Sequence, residues 1–533
     1  MRKGFLSIIL HAHLPFVHHP EQPSLFEERW LFEAITDCYI PLIRMFDRLL
    51  ADGTRYKLVL SLSPTLIAML ENELLRERYL NHSKQMLALA DKEMERTRVH
   101  APAYHNLACM YQRLLNDNLY VYETCYQTNL LNAFRRHLEA GRLELITSAA
   151  THGFLPLLNH HESAVRAQIL AGVQAFEQAL DIHPGGIWLP ECGYYPGLER
   201  LLKKAGLHYF FADSHGILHA SESPRQGVHA PLDCGNGVAA FGRDPDCSRQ
   251  VWSATEGYPG DFDYREYYSD IGFELDLDDI RPHLLEGGIR VNTGIKYHKV
   301  TGGEGPKEIY DPVAAAGKAK EHAFDFLARR QQQIEQLTAQ MEKPPIIVAP
   351  YDAELFGHWW FEGPLWLESF IRQVDREDNN FELIGCADYL VDHAQPMQKA
   401  TPSESSWGEN GYHRYWLNDK NDWIYPHLHQ ACHHMENLAD DYRDMPSDSL
   451  VDRALKQAAR SLLLAQASDW PFIMKSGTTV EYAVKRVTDH LARFNYLYDS
   501  ITNDRIDHHQ LSALEIMDDI FPNIDYRYYC TAD

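Results

Sequence analysis

The nine cysteines of this chain are odd in number and scattered, and no CxxC pair occurs among them. Neither a disulfide framework nor a cysteine-type zinc site is implied, and a reducing cytoplasm is the natural compartment. Long apolar runs are also missing. No stretch approaches the roughly 20 residues of a membrane span. The N-terminal run Phe5–Leu10 ends in His11 and is too short for the apolar region of a secretory signal. Positive charge is scarce: 50 Lys and Arg stand against 75 Asp and Glu, a formal net charge of -25. That balance argues against nucleic acid and against anionic membranes, because both require dense cations. A neutral or cationic substrate fits better. Repeats and low-complexity tracts are absent, as is any HExxH-type helical metal pair.

Glycine is missing between Gly53 and Gly141, and proline occurs there only at Pro64 and Pro102. Helix formers fill this stretch, as in Leu74–Met94 and Tyr111–Leu138, and predict a helical excursion. What surrounds it reads differently. Short, β-branched-rich apolar runs at Phe5–Leu10, Lys57–Leu62, Leu143–Ile146, Gly186–Leu189, Tyr209–Phe211, Val238–Phe241 and Ile346–Val348 predict buried parallel strands. Helical stretches lie between several of them, which is βα alternation. With 533 residues the chain exceeds one ordinary core, so a large domain and at least one smaller one are expected. After about Gln395 the pattern changes. A Trp-rich segment, Ser406–Tyr425, leads into helical spacing at Ala454, Leu455, Ala458, Leu462 and Leu463.

Each apolar run ends in polar residues: His11 and His13; Ser61 and Ser63; Thr147, Ser148 and His152; Glu191; Asp213 and His215; Arg243 and Asp244; Asp352 and Glu354. In a β/α barrel the C-terminal strand ends converge on one mouth, where chemistry is assembled. Glu191 follows a strand through Pro190 and precedes Gly193, a setting for a nucleophile, a general base or a capping acid. Asp352 stands between an apolar strand and an aromatic cluster, so its carboxyl is partly desolvated and suited to a general acid. Glu354 is an equally acidic rival. Two carboxylates flanking one bond define glycoside hydrolysis. The pair His11 and His13 shares one strand face and could instead hold a metal, as in a carbohydrate deacetylase, or hydrogen-bond a sugar or a carboxylate. Ten tryptophans, Trp407 and Trp416 among them in turn-rich sequence, offer platforms for the apolar faces of sugar rings.

Taken together, His11-Ala-His13-Leu-Pro, Gly141-Arg-Leu-Glu-Leu, Trp188-Leu-Pro-Glu-Cys-Gly-Tyr, Ala349-Pro-Tyr-Asp-Ala-Glu-Leu-Phe-Gly-His-Trp-Trp and the Trp407–Trp423 region resemble the five motifs of glycoside hydrolase family 57. They occur in the family's order and span essentially the whole chain. Within that family the chain is most similar to α-1,4-glucan branching enzymes and amylase-like members. The resemblance implies an α/β fold: an incomplete (β/α)7 barrel over residues 1–395, with a helical insertion at about 70–140, and a C-terminal all-helical domain over 396–533 that contributes to the substrate groove. It implies a retaining mechanism on an α-1,4-glucan such as amylose, glycogen or starch, with no metal and no other cofactor. Glu191 is then expected as nucleophile and Asp352 as general acid/base, with Glu354 supporting. Expected substrate contacts are Arg243, Trp252, Gly260, Trp407 and Asp469, with His11, His13, Trp30, Trp360 and Trp416 as subsite walls.

One departure from the family pattern bears on the outcome of the reaction. Branching enzymes of the family often carry a long loop with a tyrosine at its tip after the strand that follows the nucleophile. Here the stretch from Gly216 to Gly242 is short and has no tyrosine. Water then competes better for the covalent intermediate. The activities expected are branching with substantial hydrolysis, or α-amylase action by the same residues. A metal-dependent deacetylase and a catalytically silent glucan-binding protein are the rivals from other classes.

Overall fold

The computed structural model describes residues 3–22, 25–253, 256–283, 288–302, 306–376 and 379–532. Its strands are β1 (Gly4–Ala12), β2 (Leu58–Leu62), β3 (Leu143–Ser148), β4 (Gly186–Trp188), β5 (Tyr209–Ala212), β6 (Leu232–Asp233), β7 (Ala239–Gly242), β8 (Ile346–Asp352), β9 (Phe381–Leu383) and β10 (Gln398–Lys399). Seven of them run parallel in the order β7-β5-β4-β3-β2-β1-β8, and these are the seven apolar runs of the sequence. Every residue of β1 is buried, because it is flanked by β2 and β8 and, at its start, by β9. That explains an unbroken apolar run where a one-faced strand would alternate.

The curled sheet does not close by strand pairing. β7 turns its free edge to β6, which is antiparallel, and β10 continues from there. The gap between β7 and β8 is spanned instead by single bonds: Asp244 N–H donates to the Val348 carbonyl at 2.8 Å, and Tyr351 O–H to the Cys247 carbonyl at 3.1 Å. The fold is an incomplete (β/α)7 barrel with helical additions. The short β6, β9 and β10 escape sequence reading because two or three residues carry no periodicity.

Helices begin where the sequence supplies a cap. Ser63 follows β2 and accepts the Leu66 N–H, with Pro64 in the first turn of Pro64–Glu71. Asn72 starts Glu73–His100, Asp244 starts Pro245–Trp252, and Asp311 starts Pro312–Gln340 in the same way. Losing such a cap costs about 1 kcal/mol. The helical excursion between β2 and β3 matches the glycine-free stretch. A second excursion, between β7 and β8, holds only short helices among the described residues from Pro245 up to the helix Pro312–Gln340 and has no counterpart in the sequence reading.

Beyond the barrel lie the helices Ile424–Asp441, Leu450–Ala465, Asp469–Ser476, Val480–Thr502 and His508–Met517. Their apolar faces share one continuous core with β1 and the helices around it. They also grip the loop after β3 and the helix Glu162–Leu180 that follows it: Thr151 Oγ1 donates to the Leu463 carbonyl, and Gln168 Nε2 to Gln466 Oε1 at 3.0 Å. This grip places the turn after Ala465 against the mouth of the barrel. Among the described residues no helix is long and apolar enough to cross a membrane.

Candidate active site

Glu191 comes first, because its backbone is unusual. It follows β4 in a left-handed conformation, φ 61° and ψ 23°, as does Cys192 after it. Such conformations are disfavoured for residues with a side chain and persist where surrounding bonds over-determine them. Here Cys192 N–H donates to the Leu189 carbonyl at 2.8 Å, Gly193 N–H to Pro190 at 2.9 Å, and Trp407 N–H to the Glu191 carbonyl at 3.0 Å. The turn lifts the carboxyl out of the strand line, where two donors meet it. Trp407 Nε1–H reaches Oε2 and Ser468 Oγ–H reaches Oε1, both at 2.8 Å. Burial pushes the Glu191 carboxyl above its ordinary range; the Trp407 and Ser468 bonds pull it back, the Asp469 charge raises it further and the nearby His13 opposes that.

Asp352 closes β8 and stands in register with His11 on β1. Among the described residues nothing donates to its carboxylate. Burial, the Glu354 charge and the Glu191 charge push it well above the carboxylate range, and Arg243 opposes them. Glu354 is anchored: Tyr39 O–H donates to it at 2.5 Å and the His13 N–H at 3.3 Å. Burial raises it too, with the Tyr39 bond acting against that. The loop carrying Glu354 packs tightly on residue 37. Gly357 has φ 110°, and a Cβ there would collide with the Asp37 carbonyl, so glycine is required.

Ring contacts link the strand ends beside the two carboxylates. His11 stacks on Trp188 at 4.7 Å and His13 on His152 at 3.8 Å between centroids, while Trp407 meets Trp188 edge-on at 5.1 Å. His152 is also left-handed, φ 58°, and its carbonyl accepts the Ser468 N–H at 3.0 Å. Ser468 therefore holds the backbone of His152 and the side chain of Glu191 together. Donor atoms of His13, His152 and Asp469 lie within 4.8 Å of one another, a spacing a cation could bridge. Here hydrogen bonds occupy them: His13 Nε2 faces Asp469 at 3.2 Å and His152 Nε2 faces His11 Nε2 at 3.1 Å.

Arg243 lies over the Trp407 ring, 5.7 Å from its centre, and is fixed by Ser248 Oγ at 2.6 Å and Asp213 Oδ2 at 3.3 Å. Burial would raise Asp213, but His215 and Arg243 outweigh it and hold the carboxyl below its usual range. A guanidinium beside a partly buried tryptophan is a polar edge on an apolar platform, the form a sugar subsite takes.

The remaining residues expected from the sequence differ in how they meet the carboxylates. Trp407 bonds Glu191 and His11 stands in register with Asp352, while Arg243 lies on Trp407, His13 bonds Asp469 and Glu354, and Asp469 bonds His13. Trp30 is further out, meeting Tyr482 edge-on at 5.7 Å, as does Trp470 at 6.1 Å beside Asp469. Trp252 ends the helix Pro245–Trp252 and is 43% exposed. Gly260 ends the turn Tyr258–Gly260. No bond or ring contact among the described residues ties Trp252 or Gly260 to the carboxylates. Trp360 and Trp416 need correction as subsite walls: each is 1% exposed. Trp360 folds back in the turn closed by Gly357 N–H to its carbonyl and packs on Phe356 and Trp366, leaving Trp359 as the outward ring at 51% exposure. Trp416 stacks on Phe154 at 4.4 Å.

Sequence reading missed Ser468 and Tyr39, and saw His152 only as a strand-end residue. The signal for Ser468 was its place beside Asp469 in Ala-Ser-Asp-Trp-Pro-Phe. Tyr39 sits in the wide turn Ala34–Tyr39 of a long helix and carries no such signal.

Comparison with known proteins agrees along the whole chain. The model described as glycosyl hydrolase family 57 matches residues 7–402, and that described as 1,4-alpha-glucan branching enzyme, C-terminal, matches residues 427–529. A 1,4-alpha-glucan branching enzyme of Thermococcus kodakarensis is 33% identical over 532 residues, which cover 94% of this chain and 74% of that protein. The crystal structure of the α-amylase AmyC from Thermotoga maritima matches with a TM-score of 0.93 at 44% identity, covering all of both chains. The GH57-type branching enzyme from Pyrococcus horikoshii matches with a TM-score of 0.88 at 33% identity, covering 100% of this chain and 97% of its own.

Proposed function

The chain belongs to glycoside hydrolase family 57, and from that premise we propose that it is a retaining α-1,4-glucan branching enzyme with substantial hydrolytic activity. The observation that carries the mechanism is the contrast between its two central carboxyls. Glu191 accepts two hydrogen bonds and has a cation candidate, His13, nearby. Asp352 has no donor among the described residues and two acids beside it. Environments that push two acids apart in this way assign their roles.

Asp352, whose carboxyl is raised well above the carboxylate range, serves as the acid and gives its proton to the glycosidic oxygen as the bond to C1 breaks. Glu191 attacks C1 and forms the glycosyl-enzyme. Asp352, now ionised, takes the proton of the incoming hydroxyl, which attacks C1 and releases Glu191. The acceptor decides the product. A glucan 6-hydroxyl gives an α-1,6 branch, and water gives a new reducing end. We assign the chemistry to residues 1–395, with an insertion at about 70–140, and a share of the groove to 396–533, because Trp407 and Ser468 bond Glu191 and Asp469 bonds His13 from there.

A second reading is an α-amylase using the same residues. The match to AmyC and the short, tyrosine-free stretch from Gly216 to Gly242 favour it. Linkage analysis of amylose treated with the purified protein separates them. The branching reading expects α-1,6 linkages to accumulate beside new reducing ends; reducing ends without branches would decide for the amylase.

A further inference from the structure

The hydroxyl and imidazole groups behind Glu191 are bonded closely enough for their protons to be counted. Thr65 gives its single hydroxyl proton to the Leu14 carbonyl at 2.7 Å. Toward Ser63 Oγ, 3.2 Å away, Thr65 can therefore only accept. Ser63 has one proton for two contacts, Thr65 and His13 Nδ1, which lies 2.9 Å from it. Both are hydrogen bonds only when Ser63 donates to Thr65 and Nδ1 carries a hydrogen; donation to Nδ1 instead leaves the Thr65 contact without a proton. The other ring nitrogen, Nε2, faces both oxygens of Asp469 at 3.2 Å, and a carboxylate only accepts. So Nε2 carries a hydrogen as well. The arrangement that makes every one of these contacts a hydrogen bond has His13 doubly protonated.

The same count on its neighbours gives the opposite result. Ser468 uses its proton on Glu191 Oε1, so it accepts from His152 Nδ1 at 2.9 Å. His152 Nε2 then accepts from His11 Nε2–H at 3.1 Å, and His11 Nδ1 accepts from Ser61 Oγ–H at 3.1 Å. Every bond in this chain is satisfied with both rings neutral and each hydrogen directed toward Glu191.

The electrostatics agree with the count. Burial and then the charge on His13 hold His11 and His152 well below the imidazole range. Burial works against a charge on His13 too, but Asp469, Glu191 and Glu354 outweigh it and raise it. The groups facing His13 are thus Asp469 from the helix Asp469–Ser476, Glu191 beyond β4, Glu354 beyond β8, His152 beyond β3, and His11 on its own strand.

We propose that His13 is a standing imidazolium, fixed by Ser63 and Asp469, that serves as the positioning cation for Glu191, while Ser61, His11, His152 and Ser468 form a neutral donor chain ending on the same carboxylate. The catalytic part rests on the reading of Glu191 as nucleophile; the protonation pattern does not. A cation fixed there favours the ionised carboxylate needed for attack, and its second partner, Asp469, keeps it paired once Glu191 is glycosylated.

Neutron diffraction from deuterium-exchanged crystals of the full chain at about pH 7.5 reads the pattern directly, since an ordinary imidazole is mostly neutral there. The expected result is deuterium on both His13 nitrogens, on Nε2 alone of His11 and on Nδ1 alone of His152. A single deuteron on His13 overturns the proposal. For the positioning role, His13→Gln should move the acid limb of kcat/KM on amylose upward by about one pH unit, as loss of a neighbouring opposite charge does. A slower variant whose acid limb stays in place would make His13 a packing residue and overturn the role. Should the wild-type protein not turn over amylose, the functional reading falls, and the deuterons still decide the protonation.

Discussion

Trp407 is joined to Glu191 twice: its indole N–H donates to Oε2 at 2.8 Å, and its backbone N–H donates to the Glu191 carbonyl at 3.0 Å. One residue therefore fixes both the strained backbone and the charge of the proposed nucleophile, from 216 positions away in the chain. Ser468 repeats the device, with its hydroxyl on Glu191 and its backbone on His152. The region beyond the barrel thus supplies both donors to the Glu191 carboxylate.

Removing one donor at a time tests that device. Trp407→Phe keeps most of the ring surface and loses the N–H, and Ser468→Ala loses the hydroxyl. A hydrogen bond to a charged group contributes about 1.5–3 kcal/mol, so kcat should fall by about 10-fold or more in each. The acid limb should move upward, because a missing donor leaves the Glu191 carboxylate less stable. pH–rate profiles of the two variants check it.

The role assignment predicts an asymmetry between the carboxylates. Glu191→Gln should abolish turnover while glucan binding, measured by affinity electrophoresis, stays close to wild type, since the rings make the groove. Asp352→Asn should lose about 10²–10⁴-fold on amylose. On an aryl glycoside with a good leaving group, glycosylation should suffer far less. Near-normal rates on amylose for either variant would contradict the assignment.

Asp352 also carries a stability signature. Its carboxyl is raised well above the value of 3.8 it has in an unfolded chain. As pH rises through that value the unfolded chain loses the proton and the folded one keeps it, so stability falls until the folded group also titrates. Asp352→Asn removes this loss. The variant should melt above wild type at about pH 7, and the difference should fade as pH falls below the value of 3.8 at which the unfolded carboxyl titrates. Scanning calorimetry across that range measures it.

The sequence showed the seven principal strands because β1 and its neighbours are buried on both faces, and it pointed to Glu191 and Asp352 as candidates because parallel strands end where chemistry gathers. It did not show which tryptophan of Trp359-Trp360 faces out, since a turn closed by a Gly357–Trp360 bond decides that. Nor did it show the excursion before Pro312. That segment has little periodicity and is organised by buried Asp270, which accepts from the N–H groups of Gly272, Thr293 and Gly294 and pairs with Lys296 at 3.2 Å. Such a hub is tertiary and leaves no local pattern. Trp416 was misplaced for a related reason: turn-rich sequence favours exposure, but Phe154 covers its face.

Burial separates the two adjacent tryptophans energetically. Trp360→Ala should cost about 3–5 kcal/mol of stability, whereas Trp359→Ala, at a half-exposed ring, should cost well under that. Denaturant unfolding of both variants distinguishes a core role for Trp360 from a place in the groove.

Chelation bears on the histidine cluster. If both His13 nitrogens carry hydrogen, no lone pair remains there for a metal, and prolonged dialysis against EDTA should leave turnover of amylose unchanged. Loss of activity restored by zinc would support the deacetylase-like alternative and contradict the hydrogen-bond count.

The most direct test is to trap the intermediate. Asp352→Asn, treated with a slow fluorinated α-glucosyl donor and digested with protease, should yield one peptide carrying the sugar on Glu191, identified by tandem mass spectrometry. A sugar attached to Glu354 or another side chain, or turnover with no adduct at all, would contradict the account.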